Sequence, residues 1–215
     1  FSRTAPYDAR QGQVLSSLLY GMGIEEVAVS YVNNDYGKGF ADAFMDAFER
    51  QGQAVVLLSA GHEGDKADYS AEVAALAATG AEHLVVLGYL NQGGNQILDG
   101  AIQSGAFSSY SGGDGMYGQS LIDELGDGIE GMIVTAPGGE SVGAEMWKAV
   151  ATAGGLSLDG PFQGEAYDAA ALIALAIQAA GSADRAAIAG SIMAVANAPG
   201  EKIYPGQLSK ALDII

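Results

Sequence analysis

Residues 26–37 read EVAVSYVNNDYG: a β-branched run, then two asparagines, an aspartate and a glycine. The run predicts a strand over 26–32 and the polar break a turn at its carboxyl end. Working outward, Val14, Leu18, Leu19 and Met22 recur at helical spacing, which predicts a helix over 8–22. On the other side Phe40, Phe44 and Phe48 stand four apart in a helix predicted over 39–51. The alternation then repeats. QAVVLLS (53–59) is a second strand, followed by the polar loop GHEGDKAD and an alanine-rich helix over 70–79. HLVVLGY (83–89) is a third strand with a helix over 92–104 behind it. A weaker strand falls near 108–112, a short helix over 119–125, and IEGMIVT (129–135) is a fifth strand. Strands alternating with helices at this spacing give an α/β fold with a mostly parallel, doubly wound sheet. The near-continuous apolar strands suit a sheet covered on both faces.

After Pro137 the pattern changes. Segments 144–154, 165–181, 184–197 and 206–214 read as helices, and the intervals between them hold no convincing strand. The expected division is therefore an α/β ligand-binding lobe over 1–137 and a helical segment of an incomplete second lobe over 138–215. A small helical cap on the sheet is the plainer alternative. The stripes Met146, Val150; Ala170, Ile173, Ile177; Ile188, Ile192, Val195 expect a sheet to cover them, so self-association of the fragment is expected. The opening FSRTAPYDARQGQ has no initiator Met and reads as if it begins inside a longer chain.

Composition narrows the function. The 215 residues carry 9 basic and 26 acidic side chains, a net charge of −17. Phosphate backbones and anionic membrane surfaces both need clustered Lys and Arg, so neither is an expected partner. With no cysteine, disulfides, thiolate catalysis and zinc–thiolate sites are excluded. Two histidines leave little for a histidine metal site; His83 opens a strand and His62 lies in a charged loop, and both read as structural or solvated. No apolar run approaches the ~18–20 residues of a membrane span.

In an open parallel sheet, ligands bind outside the carboxyl ends of the strands at the topological switch point. In a 2-1-3-4-5 order, strands one, three and four are neighbours. Their loops, NNDYG (33–37), YLNQGG (89–94) and GGDGMY (112–117), converge on one rim. The candidate ligand residues on that rim are Tyr36, Tyr89, Asp114, Asn34, Asn91 and Met116. Each loop has a plainer reading taken singly. NNDYG is also a helix N-cap, Tyr89 a core tyrosine reaching water, and Asp114 a turn residue. Their convergence is what favours a site.

Catalytic signatures are missing. The loop after the first strand is NNDYGKG rather than a G-x-G-x-x-G turn, and there is no P-loop. Tyr89 stands where a phospho-receiver would place its aspartate. No cofactor, metal or turnover is expected.

Several segments carry a resemblance. Arg3-Thr4-Ala5-Pro6-Tyr7-Asp8 followed by Gln11-Gly12 resembles the stretch entering the second lobe of type I periplasmic binding proteins, the branched-chain amino-acid (Leu/Ile/Val) receptors of ABC transporters. Asp35-Tyr36-Gly37 with Phe40, Gly88-Tyr89, Gly128-Ile129-Glu130-Gly131-Met132 before VTAPG, and Gly164-Glu165-Ala166-Tyr167-Asp168-Ala169-Ala170 fit the same family in the same order.

The resemblance implies two α/β lobes joined by crossing segments, with ligand held in the cleft between them. Arg3, Pro6 and Pro137 would be hinge positions. Tyr36 and Tyr89 match tyrosines that close over the ligand. Asp114 matches an acidic position that pairs with the α-ammonium, where these receptors usually carry Glu. The implied function is the extracytoplasmic substrate-binding component of an ABC uptake transporter. It would bind an amino acid or similar small polar metabolite in the periplasm, and would have a membrane permease as partner and a signal peptide in the precursor. A ligand-sensing regulatory or receptor module of the same fold is the alternative.

Overall fold

Strands β1 (Glu26–Val32), β2 (Val55–His62), β3 (His83–Leu87), β4 (Ser109–Gly112) and β5 (Ile133–Val134) form one sheet in the order β2-β1-β3-β4-β5, every pair parallel. This computed structural model describes residues 1–158 and 160–215. The strand order and alternation are those the sequence predicts.

The two faces of the sheet are set by side-chain alternation along the strands. Val27, Val29, Val85 and Leu87 point to one face, where α1 (Asp8–Gly21) and α2 (Asp35–Phe48) cover them with Leu15, Leu19, Phe40, Phe44 and Phe48. Ala28, Leu84 and Val86 point to the other, under α3 (Ser70–Ala77), α4 (Asn95–Ser104) and α5 (Gln119–Leu125). The three phenylalanines of α2 are fully buried, each worth about 1.5–3 kcal/mol relative to exposure. Gly12 lets α1 lie directly on α2: a Cβ there would sit 2.9 Å from the Phe44 backbone nitrogen. Beside it Gln11 donates from Nε2 to the Thr135 carbonyl at 2.6 Å, fastening α1 to the end of β5.

Among the boundaries that differ from the sequence expectation, three bear on the fold. Helix α2 starts at Asp35, four residues early, because the Asn34 side chain accepts a hydrogen bond from the Gly37 amide at 2.9 Å and caps it. Strand β2 runs on to His62, which pairs with Val32 and is buried; it is a strand residue, not a solvated loop residue. The expected fifth strand narrows to two residues, since Gly126–Ile129 coil into a 3₁₀ turn first.

The chain divides into two units, Pro6–Pro137 and Phe1–Ala5 with Gly138–Ile215. The second holds α6 (Val142–Ala153), α7 (Gln163–Ala180), α8 (Arg185–Ala196) and α9 (Leu208–Ile214), and no strand among its described residues. Thr4 donates to the Glu165 carbonyl at 2.9 Å, and the Trp147 and Tyr167 rings meet at 5.0 Å. Its helices bury little: Ala151, Leu175, Ala176 and Ala211 are the buried apolar residues described, and Ile173, Ile177 and Met193 stand exposed. Among the described residues no single helix is long and apolar enough to cross a membrane.

Candidate functional site

Adjacent strands β1, β3 and β4 end at one rim of the Pro6–Pro137 unit. The capping of α2 by Asn34 sets Tyr36 in the first helical turn after β1. Tyr89 follows β3 and leads into a kinked turn, Leu90–Gly94, in which Gln92 and Gly93 leave helical geometry. Asp114 follows β4 in a 3₁₀ turn, Asp114–Met116. Three separate loops thus deliver the three residues to one place, and the side chains meet. The Tyr36 and Tyr89 rings stack with centroids 4.8 Å apart and planes 27° from parallel. Phe40 supports Tyr36 edge-on at 5.9 Å. The Tyr36 hydroxyl donates to Asp114 Oδ1 at 3.1 Å and accepts from the Gly115 amide at 3.3 Å.

Asp114 is 6% exposed, so its carboxylate is held largely away from water. Burial, with Asp114 next in importance, pushes the Tyr36 hydroxyl well above the ordinary tyrosine range. The same two causes raise Tyr89. The rim therefore offers a shielded carboxylate and two protonated phenols on an aromatic base. Such a carboxylate suits a cationic ligand group, because a desolvated acid is costly unless paired.

Two glycines missing from the candidate set make this geometry fit. A Cβ on Gly113 would lie 2.4 Å from the Phe40 ring, and one on Gly115 2.2 Å from the Gly88 carbonyl oxygen. The signal was present in the run GGDG, where backbone must approach backbone without side chains between.

The other expected residues do not join the cluster. Asn34 uses its side-chain oxygen as the α2 cap. Asn91 is exposed in the Leu90–Gly94 turn. Met116 is a correction: it is fully buried beneath the loop in the core with Ile97 and Leu98, so it supports the turn rather than facing a ligand. Pro6 and Pro137 are the first and last residues of their unit, and Arg3 belongs to the other. Among the described residues no three His, Cys, Asp or Glu side chains gather as a metal ion would require.

Comparison with known proteins gives a family match described as periplasmic binding protein over residues 2–200. A leucine-specific-binding protein of Salmonella typhimurium is 29% identical over 136 residues, 63% of this chain and 36% of that protein. A leucine-, isoleucine-, valine-, threonine-, and alanine-binding protein of Pseudomonas aeruginosa is 27% identical over 195 residues, 89% of this chain and 52% of that protein. The crystal structure of a leucine binding protein from Thermotoga maritima aligns at TM-score 0.73 and 25% identity, covering 89% of this chain and 55% of that one. The chain thus spans about half of these relatives, or less. A solute binding protein from R. palustris in complex with 4-hydroxybenzoate aligns at TM-score 0.73 and 18% identity, covering 87% of this chain and 53% of that one, which shows a shared fold.

Proposed function

The chain belongs to the periplasmic binding protein family, and on that premise we propose that it is part of the extracytoplasmic substrate-binding component of an ABC uptake transporter, taking an amino acid at the β1–β3–β4 rim. The observation that carries this reading is Asp114, a carboxylate 6% exposed just after β4, on the rim where β1 and β3 also end, and hydrogen-bonded by Tyr36. A buried acid at a switch point matches the ammonium end of an amino acid. The stacked Tyr36 and Tyr89 rings supply an apolar wall beside it. The protein binds without turning its ligand over, works in the periplasm, and delivers to a membrane permease.

Calorimetric titration of the full-length protein with L-leucine, L-alanine, L-threonine and 4-hydroxybenzoate tests this. Saturable binding of an amino acid supports the reading. Binding of 4-hydroxybenzoate in preference to all three amino acids overturns it, since an aromatic carboxylate would then have to sit beside a buried carboxylate.

A further inference from the structure

We propose that His62 is a positioning residue for the rim. Wedged between Ser30, Tyr69 and the backbone at Gly88, the neutral imidazole fixes the β3–α4 turn that follows Tyr89, and a proton on the ring releases that turn. The proposal rests on the rim being the binding site and adds a control of it from behind.

His62 is 1% exposed at the end of β2. Its Nδ1 lies 2.9 Å from the hydroxyl of Ser30 on β1, which is itself buried. The ring meets Tyr69 edge-on at 5.8 Å. A Cβ on Gly88, the residue before Tyr89, would lie 3.4 Å from Nε2. Nε2 is buried and completes no hydrogen bond. A buried polar atom is costly unless a partner reaches it. The partner at hand is the Gln92 carbonyl, which favours a hydrogen on the ring.

That carbonyl belongs to the turn that sets Tyr89. Gln92 and Gly94 both donate their amides to the Tyr89 carbonyl at 3.1 Å. Between them Gly93 takes a φ of 89°. Tyr69 backs this kink: a Cβ on Gly93 would fall 2.7 Å from the Tyr69 ring, whose hydroxyl donates to the Glu63 carbonyl at 2.8 Å. The Gln92 side chain packs on Gly64, where a Cβ would come within 3.1 Å of it. The β2–α3 loop and the β3–α4 turn thus form one joint with His62 inside it, and movement there moves Tyr89.

Protonation works against the joint. With Ser30 donating to Nδ1, the single ring hydrogen sits on Nε2 and serves the turn. A second hydrogen, on Nδ1, deprives the buried Ser30 hydroxyl of its acceptor and puts a charge where water is excluded. The charged and titratable groups around the ring are Glu63, Lys66 and Tyr69 in the β2–α3 loop and Glu72 on α3, with Tyr89 beyond Gly88. Lys66 pairs with Glu72 Oε1, and Asn33 holds Glu63 Oε1 at 2.6 Å, so both carboxylates are partly engaged. Burial outweighs them and keeps the ring neutral at pH 7. Glu72 Oε2, buried without a partner, is the counter-charge for the ring once the turn yields.

The test compares full-length wild type, His62→Gln and His62→Leu at pH 7.5 and pH 5. A glutamine amide can donate to the turn and does not titrate; leucine fills the space and does neither. L-leucine, L-alanine and L-threonine are titrated by calorimetry. Hydrogen exchange of the Gln92 and Gly94 amides is measured beside that of Val85, each corrected for its intrinsic rate.

Both turn amides should be less protected than Val85, the mark of a local opening. In the wild type their protection and the amino-acid affinity should each fall about threefold or more on going to pH 5, as the competent turn is depopulated. His62→Gln should match the wild type at pH 7.5 and change by less than about twofold at pH 5, because nothing on the ring's site then titrates. His62→Leu should lose about fivefold or more in both readouts already at pH 7.5, as for a lost hydrogen bond. An acid loss in His62→Gln as large as in the wild type overturns the proposal, and so does wild-type protection of the turn in His62→Leu. A wild type that binds none of the three amino acids overturns the amino-acid reading alone, and the exchange rates then decide the role of His62.

Discussion

His62 Nδ1 lies 2.9 Å from the Ser30 hydroxyl, joining β2 to β1 near their carboxyl ends within the sheet's buried face. His83 does the same between β3 and β4, with Nδ1 2.7 Å from Ser109 and Nε2 2.9 Å from Ser111. Two imidazoles thus cross-brace a sheet whose other buried side chains are mostly apolar.

Both histidines make folding pH-dependent. Burial lowers His62, against the partial opposition of Glu72 and Glu63, and lowers His83 to about 4. A depressed folded-state value means the unfolded chain takes the proton first. Stability is therefore complete above about pH 6.5 and falls as pH drops toward the folded values. For His83 the interval from 6.5 to about 4 amounts to roughly 3 kcal/mol. Urea unfolding at steps between pH 7.5 and pH 5 should show declining stability, and the decline should shrink in His83→Gln. A flat profile in the wild type contradicts the assignment.

Asp114→Asn should weaken amino-acid binding by about 30-fold or more, since one partner of a shielded charged pair is removed. Asp123→Asn should cost less than about threefold, because Asp123 is exposed on α5 and bonded to Gln119 at 3.0 Å. Calorimetric titration of both full-length variants decides it, and equal affinities would leave Asp114 an ordinary turn residue.

Two glycine substitutions should move stability in opposite directions. Gly115→Ala forces a Cβ to within 2.2 Å of the Gly88 carbonyl oxygen and should cost about 1–3 kcal/mol. Gly39→Ala places its Cβ in open space inside α2 and should add up to about 1 kcal/mol by helix propensity. Denaturation midpoints for the pair measure both.

Residues 1–215 produced alone should self-associate, since the apolar side chains of α7 and α8 include exposed Ile173, Ile177 and Met193. Light scattering over a concentration series should show species above the monomer mass. A strict monomer at high concentration counts against it.

The fold was legible where chemistry repeats. HLVVL is buried at every position, and only a sheet covered on both sides uses such a run. It was less legible where a single hydrogen bond sets a boundary. Gly37 and Gly39 argue against a helix start, yet the Asn34 cap begins α2 ahead of them. His62 stands among loop-forming residues, and only pairing with Val32 and bonding to Ser30 draw it into β2. For the site, strand order brought Tyr36, Tyr89 and Asp114 to one rim. The Tyr36–Asp114 bond and the inward turn of Met116 depend on torsions inside short turns, which no periodicity encodes.

The Gln11–Thr135 bond has a consequence for how this unit can be handled. Gln11 lies in the helix that begins at Asp8, and Thr135 two residues before Pro137, so the first and last segments of Pro6–Pro137 are pinned to each other. A polypeptide that arrives and departs at one spot is portable. Its two ends can be joined by a short Gly/Ser bridge and new termini opened at an exposed turn such as Gly126–Asp127, or the whole piece can be transplanted into another host protein through a single seam.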